Sequence, residues 1–538
     1  MHFPGGHIHD AGEYHVYNGD PDSLLFGLFQ PGESICNGLR SLEYFNPNGD
    51  AHYFGSAVSG EQPDNGIYSS KWFYNPRIVH DTDEDDDATD SHYGPYNASR
   101  ILDPTGEWFG NPYCLDEKYC KMLTVECNSL TPDNFTWNLI KPKGLSGFTS
   151  FEGQDAAVAY AVAHGQTVLG QHLLWYLGLP TGFSTTNHAL QASLIQDHVM
   201  RISERQRNYW GDTIRGWAVV NEFLENVGWL NTPPTGAYSA TYERAQGGLT
   251  YDVAKAAFVR ARSELPDTYL YYNDYSNESI YTVDSGAAYV PSSAPADTPS
   301  HIMYSMRCYR CFKLVEKLYN EPTINGRHII DGVGFQCHIS AWRFRQCKVA
   351  NPFQQPECDV CPAFSPEEMS DCELIDLADV APFFEPWLEG IVENVSALRA
   401  LGLNSEITEL DIDISNPDNY SWCHVPAWWR ELSLEARECI QGKMYRRILE
   451  TAKCLNMNVT VWDLADKYSW LAYNNSQVYS IDPDCALCGE DDQHYEFDDD
   501  YSKQQINAHL YDRDDARKPG AYFNGALQAF RTTATCTP

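Results

Sequence analysis

The chain has 538 residues, 43% of them hydrophobic, enough for one large core or two modest ones. Its 37 Lys and Arg against 74 Asp and Glu leave a formal net charge of −37, a field that repels polyphosphates and disfavours nucleic acid or acidic polysaccharide as a partner. No stretch is apolar enough to span a bilayer, so no membrane span is expected.

In chain order, residues 1–40 read as an N-terminal extension. Its opening, Met1-His2-Phe3-Pro4-Gly5-Gly6, lacks the apolar core of a signal peptide, so the chain is expected to be a mature form with Met1 an added start. Tyr53–Val58 reads as a first strand. An insertion near 59–113 follows, rich in Gly, Pro, Asp and Tyr. Its acidic run Asp81–Asp87 fits no EF-hand spacing and reads as a solvated loop. Further strands are expected at Leu123–Cys127, Thr167–Trp175, Gly216–Asn221, Tyr269–Asn273, Gly332–His338, Glu406–Leu410 and Val459–Leu464. Helical periodicity falls between them, at Asp155–His164, His188–Tyr209, Tyr251–Leu265, Met306–Asn320, Phe384–Gly402, Leu434–Leu455 and Tyr522–Arg531. Eight strands alternating with helices predict an α/β fold, a (β/α)8 TIM barrel over residues 41–538, with long loop insertions near 59–113, 341–376 and 475–502.

Seventeen cysteines, with sequons at Asn97, Asn134, Asn277, Asn394, Asn419, Asn458 and Asn474, point to secretion and N-glycosylation. The Cys-x-x-Cys pairs Cys308/Cys311, Cys358/Cys361 and Cys485/Cys488 lack the partner spacing of a zinc site, and disulfides are the preferred reading. Fourteen Trp and 34 Tyr exceed what a core needs. Flat amphipathic rings stacking on sugars would use the surplus, and a protein interface would too.

Two carboxylates close strand-like runs, Glu222 in Trp217-Ala218-Val219-Val220-Asn221-Glu222 and Glu409 in Ile407-Thr408-Glu409-Leu410-Asp411. Strand C-termini open on the catalytic face of a barrel, which lets both point into one cleft. Hydrolysing a glycosidic bond takes two such groups: one protonates the leaving oxygen, the other attacks or activates water. Either glutamate alone would read as a structural ion-pair partner.

The surrounding motifs resemble glycoside hydrolase family 10, whose best-known members are endo-β-1,4-xylanases. Tyr53–Val58, Asn128–Asn134, Gly170–Pro180, Asn273-Asp274-Tyr275, Gly332–His338 and Val461-Trp462 through Trp470 occur in the family's order, together with the two Glu-bearing runs. The resemblance implies that Glu222 is the acid/base and Glu409 the nucleophile of a retaining, double-displacement enzyme, with the carboxyls about 5–5.5 Å apart. It also implies that Asn221 holds the sugar 2-hydroxyl, and that Gln336 and His338 contact the nucleophile and the sugar. Asp411 would support His338 from behind. Trp175, Trp462 and Trp470 would wall the bond being cut, and no metal or organic cofactor is required.

The departures gather on the glycone side. Where the family has Glu-Asn-x-Met-Lys-Trp, this chain has Asp133-Asn134-Phe135-Thr136-Trp137-Asn138, so Trp137 replaces a sugar-binding Lys. Where it has Gly-His-Thr-Leu-Val-Trp-His-Ser-Gln, Gln171 stands for the first His unless His172 serves by a local shift. Tyr176 replaces the second His, and Gly178 the Gln. Trp137 and Tyr176 are expected to stack on a sugar instead, and Asn134 to contact sugar and stay unglycosylated. The expected activity is endo-hydrolysis of β-1,4-xylan or a related neutral β-glycan. The alternative is a non-catalytic glycan-binding or extracellular structural protein that retains the barrel.

Overall fold

A computed structural model describes residues 53–58, 117–183, 187–224, 248–282, 288–289, 303–345, 372, 375–414, 429, 432–466, 508–511 and 517–531. The N-terminal extension, the 59–113 insertion with its acidic run, most of 341–376 and all of 475–502 lie outside these residues.

Eight parallel strands close a barrel: β1 (Phe54–Val58), β2 (Ser129–Pro132), β3 (Thr167–Trp175), β4 (Ile214–Asn221), β5 (Tyr269–Asp274), β9 (Gly332–Phe335), β11 (Asn404–Asp413) and β12 (Val459–Val461). Closure is set by Phe54 opposite Val459 and Gly55 opposite Ser129. Three short strands, β6 (Tyr281–Thr282), β7 (Ala288–Tyr289) and β8 (Met303–Ser305), form a separate antiparallel sheet. A last one, β10 (His338–Ser340), pairs with the end of β11 through His338 opposite Asp411. The barrel strands are buried on both faces, as parallel strands under helices must be; β3 is buried at every position but its ends.

Helices α1 (Glu117–Glu126), α2 (Glu152–Ala163), α3 (His188–Arg205), α4 (Tyr251–Glu264), α5 (Met306–Tyr319), α6 (Phe384–Leu401) and α7 (Leu434–Cys454) cover the barrel. Their starts carry local signals: the Asn187, Ser305 and Ser433 side chains accept from Leu190, Cys308 and Ala436 amides. Gly402, at φ 91°, ends α6 in the left-handed conformation. Pro519–Ala526 and Leu527–Arg531 pack last, against α7. Among the described residues no helix is long and apolar enough to cross a membrane.

Three expectations need correction. Leu123–Cys127 is not the second strand: residues 117–126 are helical, and the strand is Ser129–Pro132. Tyr119, Met122, Leu123 and Glu126, at i, i+3, i+4 and i+7, are all buried, while Val125 is exposed, so a helical period underlies what reads as a β-branched run. Gly332–His338 is not one strand either; Cys337, at φ 60°, separates β9 from β10. Nor are Cys308 and Cys311 bridged; both are free, buried thiols on α5, whereas Cys372 and Cys439 form a disulfide and Cys454 is disulfide-bonded too. Cys358/Cys361 and Cys485/Cys488 lie outside the described residues.

Three sequon asparagines, Asn134, Asn277 and Asn394, are buried, and Asn458 is half-buried. The Asn277 amide donates to Gly334 O, that of Asn394 to the carbonyls of Asn277 and Glu278, and that of Asn458 to Glu406. Asn97, Asn419 and Asn474 lie outside the described residues.

Candidate active site

The ends of β3, β4, β5, β9, β10 and β11 bring one cluster together. Glu222 follows β4 directly, with φ 48° and its backbone N–H donating to Asn273 O at 2.9 Å. That left-handed turn is strained for a residue with a Cβ and sets the carboxyl apart from the strand's alternation. Both of its oxygens are held: Trp175 Nε1 donates to Oε2 at 3.1 Å, and Gln336 Nε2 to Oε1 at 2.9 Å. Gln336 also reaches Asn221 Oδ1 at 3.3 Å.

Glu409 is buried on β11 and is held differently. Asn273 Nδ2 donates to its Oε1 at 2.6 Å, and His338 Nε2 lies 3.2 Å from Oε2. The other His338 nitrogen, Nδ1, lies 2.8 Å from Asp411 Oδ2. Asn273 also donates to Asn221 Oδ1 at 2.8 Å and accepts from Thr408 Oγ1 at 2.6 Å, which fixes which end of its amide faces Glu409. There is room for it because residue 334 is glycine; a Cβ there would lie 2.3 Å from Asn273 Oδ1. An unbroken chain of hydrogen bonds therefore joins the two glutamates through Gln336, Asn221 and Asn273.

The electrostatics of the two ends differ. Burial is the largest influence on Glu222 and raises its pKa; the nearby charges of Glu409 and Asp274 push the same way, and the Gln336 and Trp175 donors only partly offset them. Burial pulls His338 down, but Asp411 and Glu409 outweigh it and hold it up at about 10, so the ring is an imidazolium at neutral pH. A proton-favouring carboxyl thus faces a carboxyl held by a cation and an amide.

Asn221, Gln336, His338, Trp175 and Asp411 are in this cluster with the two glutamates. Trp462 stands beside it, its ring 6.3 Å from that of His338 and edge-on, and its amide bonded to Leu410 O. Trp470 lies outside the described residues. Tyr176 is half-buried, edge-on to Trp175 at 6.3 Å. Asn134, Gln171 and His172 are buried, and their side-chain nitrogens and oxygens have no hydrogen-bond partner among the described residues. Burial lowers His172 to about 3 and leaves it neutral. Trp137 departs from expectation. Its ring is buried, stacked on His198 of α3 at 4.4 Å and edge-on to Phe183. Residues 137–140 form a short helix whose Trp137 and Ile140, three apart, are both buried, so the apolar ring serves the helix layer rather than a sugar. The sequence puts Asn273 on a motif without assigning it a role. Its signal was a polar pair, Asn273-Asp274, closing an apolar strand, and both are fully buried.

The sequence pattern of glycosyl hydrolase family 10 matches residues 104–292 and 384–512, well over half of the chain. The chain belongs to glycosyl hydrolase family 10. Among curated relatives, endo-1,4-beta-xylanase A of Cellvibrio japonicus is 27% identical over 65% of this chain and 46% of its own length. Endo-1,4-beta-xylanase C of Paenibacillus barcinonensis is 25% identical over 66% of this chain and 27% of its own. The chain thus spans less than half the length of these two. For endo-1,4-beta-xylanase B of Humicola insolens, 25% identical, the match covers 65% of this chain and 71% of the relative. Among solved family 10 structures, a glycosylated endo-beta-1,4-xylanase from Gloeophyllum trabeum superposes with a TM-score of 0.50 at 18% identity. It covers 93% of this chain and 100% of that one, a likeness in fold.

Proposed function

We propose that this family 10 protein is a retaining endo-acting hydrolase of β-1,4-xylan or a related neutral β-glycan, with Glu222 as acid/base and Glu409 as nucleophile. The observation that carries this reading is the contrast between the two carboxyls: Glu222 sits where burial and neighbouring charge favour its proton, and Glu409 accepts from Asn273 and the His338 imidazolium. In the first step a Glu409 oxygen attacks the anomeric carbon while the Glu222 proton passes to the departing glycosidic oxygen, leaving a glycosyl ester and a Glu222 carboxylate. In the second, Glu222 takes a proton from water, whose oxygen attacks the anomeric carbon and frees Glu409.

Buried Asn134, Gln171 and His172 support a sugar-binding role, because polar atoms without partners are costly and sugar hydroxyls would satisfy them. With Trp137 turned into the helix layer, the glycone side is read by neutral groups. The Cys372–Cys439 disulfide supports secretion into an oxidising compartment, with glycans confined to Asn97, Asn419 and Asn474. The test is reducing-sugar release from β-1,4-xylan, β-1,3-xylan, mixed-linkage glucan, cellulose and mannan, with Glu409→Ala as the blank. Release from xylan that the substitution abolishes is expected, and proton NMR of the first product should show the retained anomer. Silence across the panel from folded protein would overturn the reading.

A further inference from the structure

Beside the cluster, Asp274 closes β5 completely buried, and it has two handles. Its side chain is gripped from α5: Arg307 Nε and Nη2 donate to Oδ1 at 3.0 and 2.5 Å, and Tyr272 OH donates to Oδ2 at 2.5 Å. The guanidinium lies 3.6 Å from the centre of the Tyr275 ring, which fixes its plane. Its main-chain oxygen accepts from Gln336 N at 3.0 Å, and Gln336 is the residue whose amide holds Glu222. The neighbouring carbonyl, of Asn273, takes the Glu222 N–H itself. The end of β5 therefore positions both Glu222 and its amide donor, and the Arg307 pair pins that end to the first turn of α5.

We infer that Asp274, anchored by Arg307, is a positioning residue for the proton donor Glu222. This rests on the proposed roles of Glu222 and Glu409. Glu222 faces Glu409 from β11, Asp274 from β5, and the neutral donors Gln336 and Trp175. Asp274 faces Arg307 and the Cys311 thiol from α5, and Tyr272 from its own strand. The Asp274 charge strengthens Glu222's hold on its proton, in the same sense as that of Glu409 does. An ion pair that merely braced the fold would leave that proton untouched.

The test follows the Glu222 carboxyl directly, by carbon-13 NMR of the full chain labelled at glutamate, with the resonance identified through Glu222→Gln. In Asp274→Asn the titration midpoint of Glu222 should fall by about 0.5–1 pH unit, since a carboxylate is lost while the Arg307 cation stays. The double variant Asp274→Asn/Arg307→Gln replaces the buried ion pair by a neutral one and guards against loss of folding; its midpoint should fall by less. The alkaline limb of kcat on xylan should move down in step, with KM changing less than kcat because Asp274 does not touch substrate. Midpoints and limb unmoved, with only the melting temperature lowered, would overturn the inference. A chain that cleaves no glycan would sink the proposed function, while the NMR midpoints still decide for or against Asp274.

Discussion

His338 stands between two carboxylates, 2.8 Å from Asp411 and 3.2 Å from Glu409, and its raised pKa depends on both. Removing the Asp411 charge leaves burial less opposed, so in Asp411→Asn the ring should titrate well below about 10. Nitrogen-15 NMR of labelled histidine reads this directly; a midpoint that stays near 10 would show that Asp411 is not what holds the proton. Above that lowered midpoint the bond to Glu409 changes from charge-assisted to neutral, a loss of about 1 kcal/mol, or roughly five- to tenfold in kcat under the proposed function. The stability effect has a definite sign. Because the folded pKa is raised, the contribution is fully present below the unfolded histidine's value of about 6.5 and is lost as pH rises through about 10. The stability gap between parent and variant should follow that window.

Among the elements, α7 and the segment Pro519–Ala526 meet at a glycine seam. A Cβ at Gly442 would lie 2.2 Å from Gly520 O, and one at Gly520 would lie 2.1 Å from Glu438 O, so each meets rigid backbone rather than a side chain that can move. Alanine at 442 gains about 1 kcal/mol in helix propensity but must force the seam apart, a cost of about 1–3 kcal/mol or more in a packed core. Gly442→Ala should therefore lower the melting temperature, and an unchanged or raised value would mean that the seam opens freely. Elements of this kind were legible in sequence wherever one period dominated: Thr167–Trp175 reads as a strand with those same bounds, and six of the seven long helices, α2 to α7, fall where helical periodicity is expected between strands. Leu123–Cys127 misled because five residues contain too few turns to separate a β-branched run from a helix face. The glutamates were legible as strand-end carboxylates. The turn at Glu222, the orientation of Trp137 and the coupling role of Asn273 were not, because each is decided by residues far away in sequence, Gly334 and His198 among them.

Across the whole molecule, α1 and the C-terminal segment are tied by a buried carboxylate. Glu126 accepts from Tyr511 OH at 2.8 Å and from Tyr522 OH at 2.9 Å, and it is paired with Arg517, 391 residues away in sequence. Arg517 in turn donates to Tyr511 OH and lies over the Tyr522 ring. Glu126 and Arg517 are both essentially out of solvent, so desolvation and attraction nearly cancel for the intact pair, and the penalty falls on breaking it. Glu126→Met takes the carboxylate away from the buried Arg517 guanidinium and should cost about 3–5 kcal/mol in denaturant unfolding. Glu126→Met/Arg517→Met removes both charges and should recover most of that loss. If the two variants were equally destabilised, the tyrosine hydrogen bonds rather than the charge pair would be what secures the two ends. The Glu222–Glu409 cluster is far from these residues in sequence but shares their barrel: α1 packs on β1, and β12 alone separates β1 from the strand that carries Glu409. Under the proposed function, a double variant that regains stability should therefore regain hydrolysis of xylan as well.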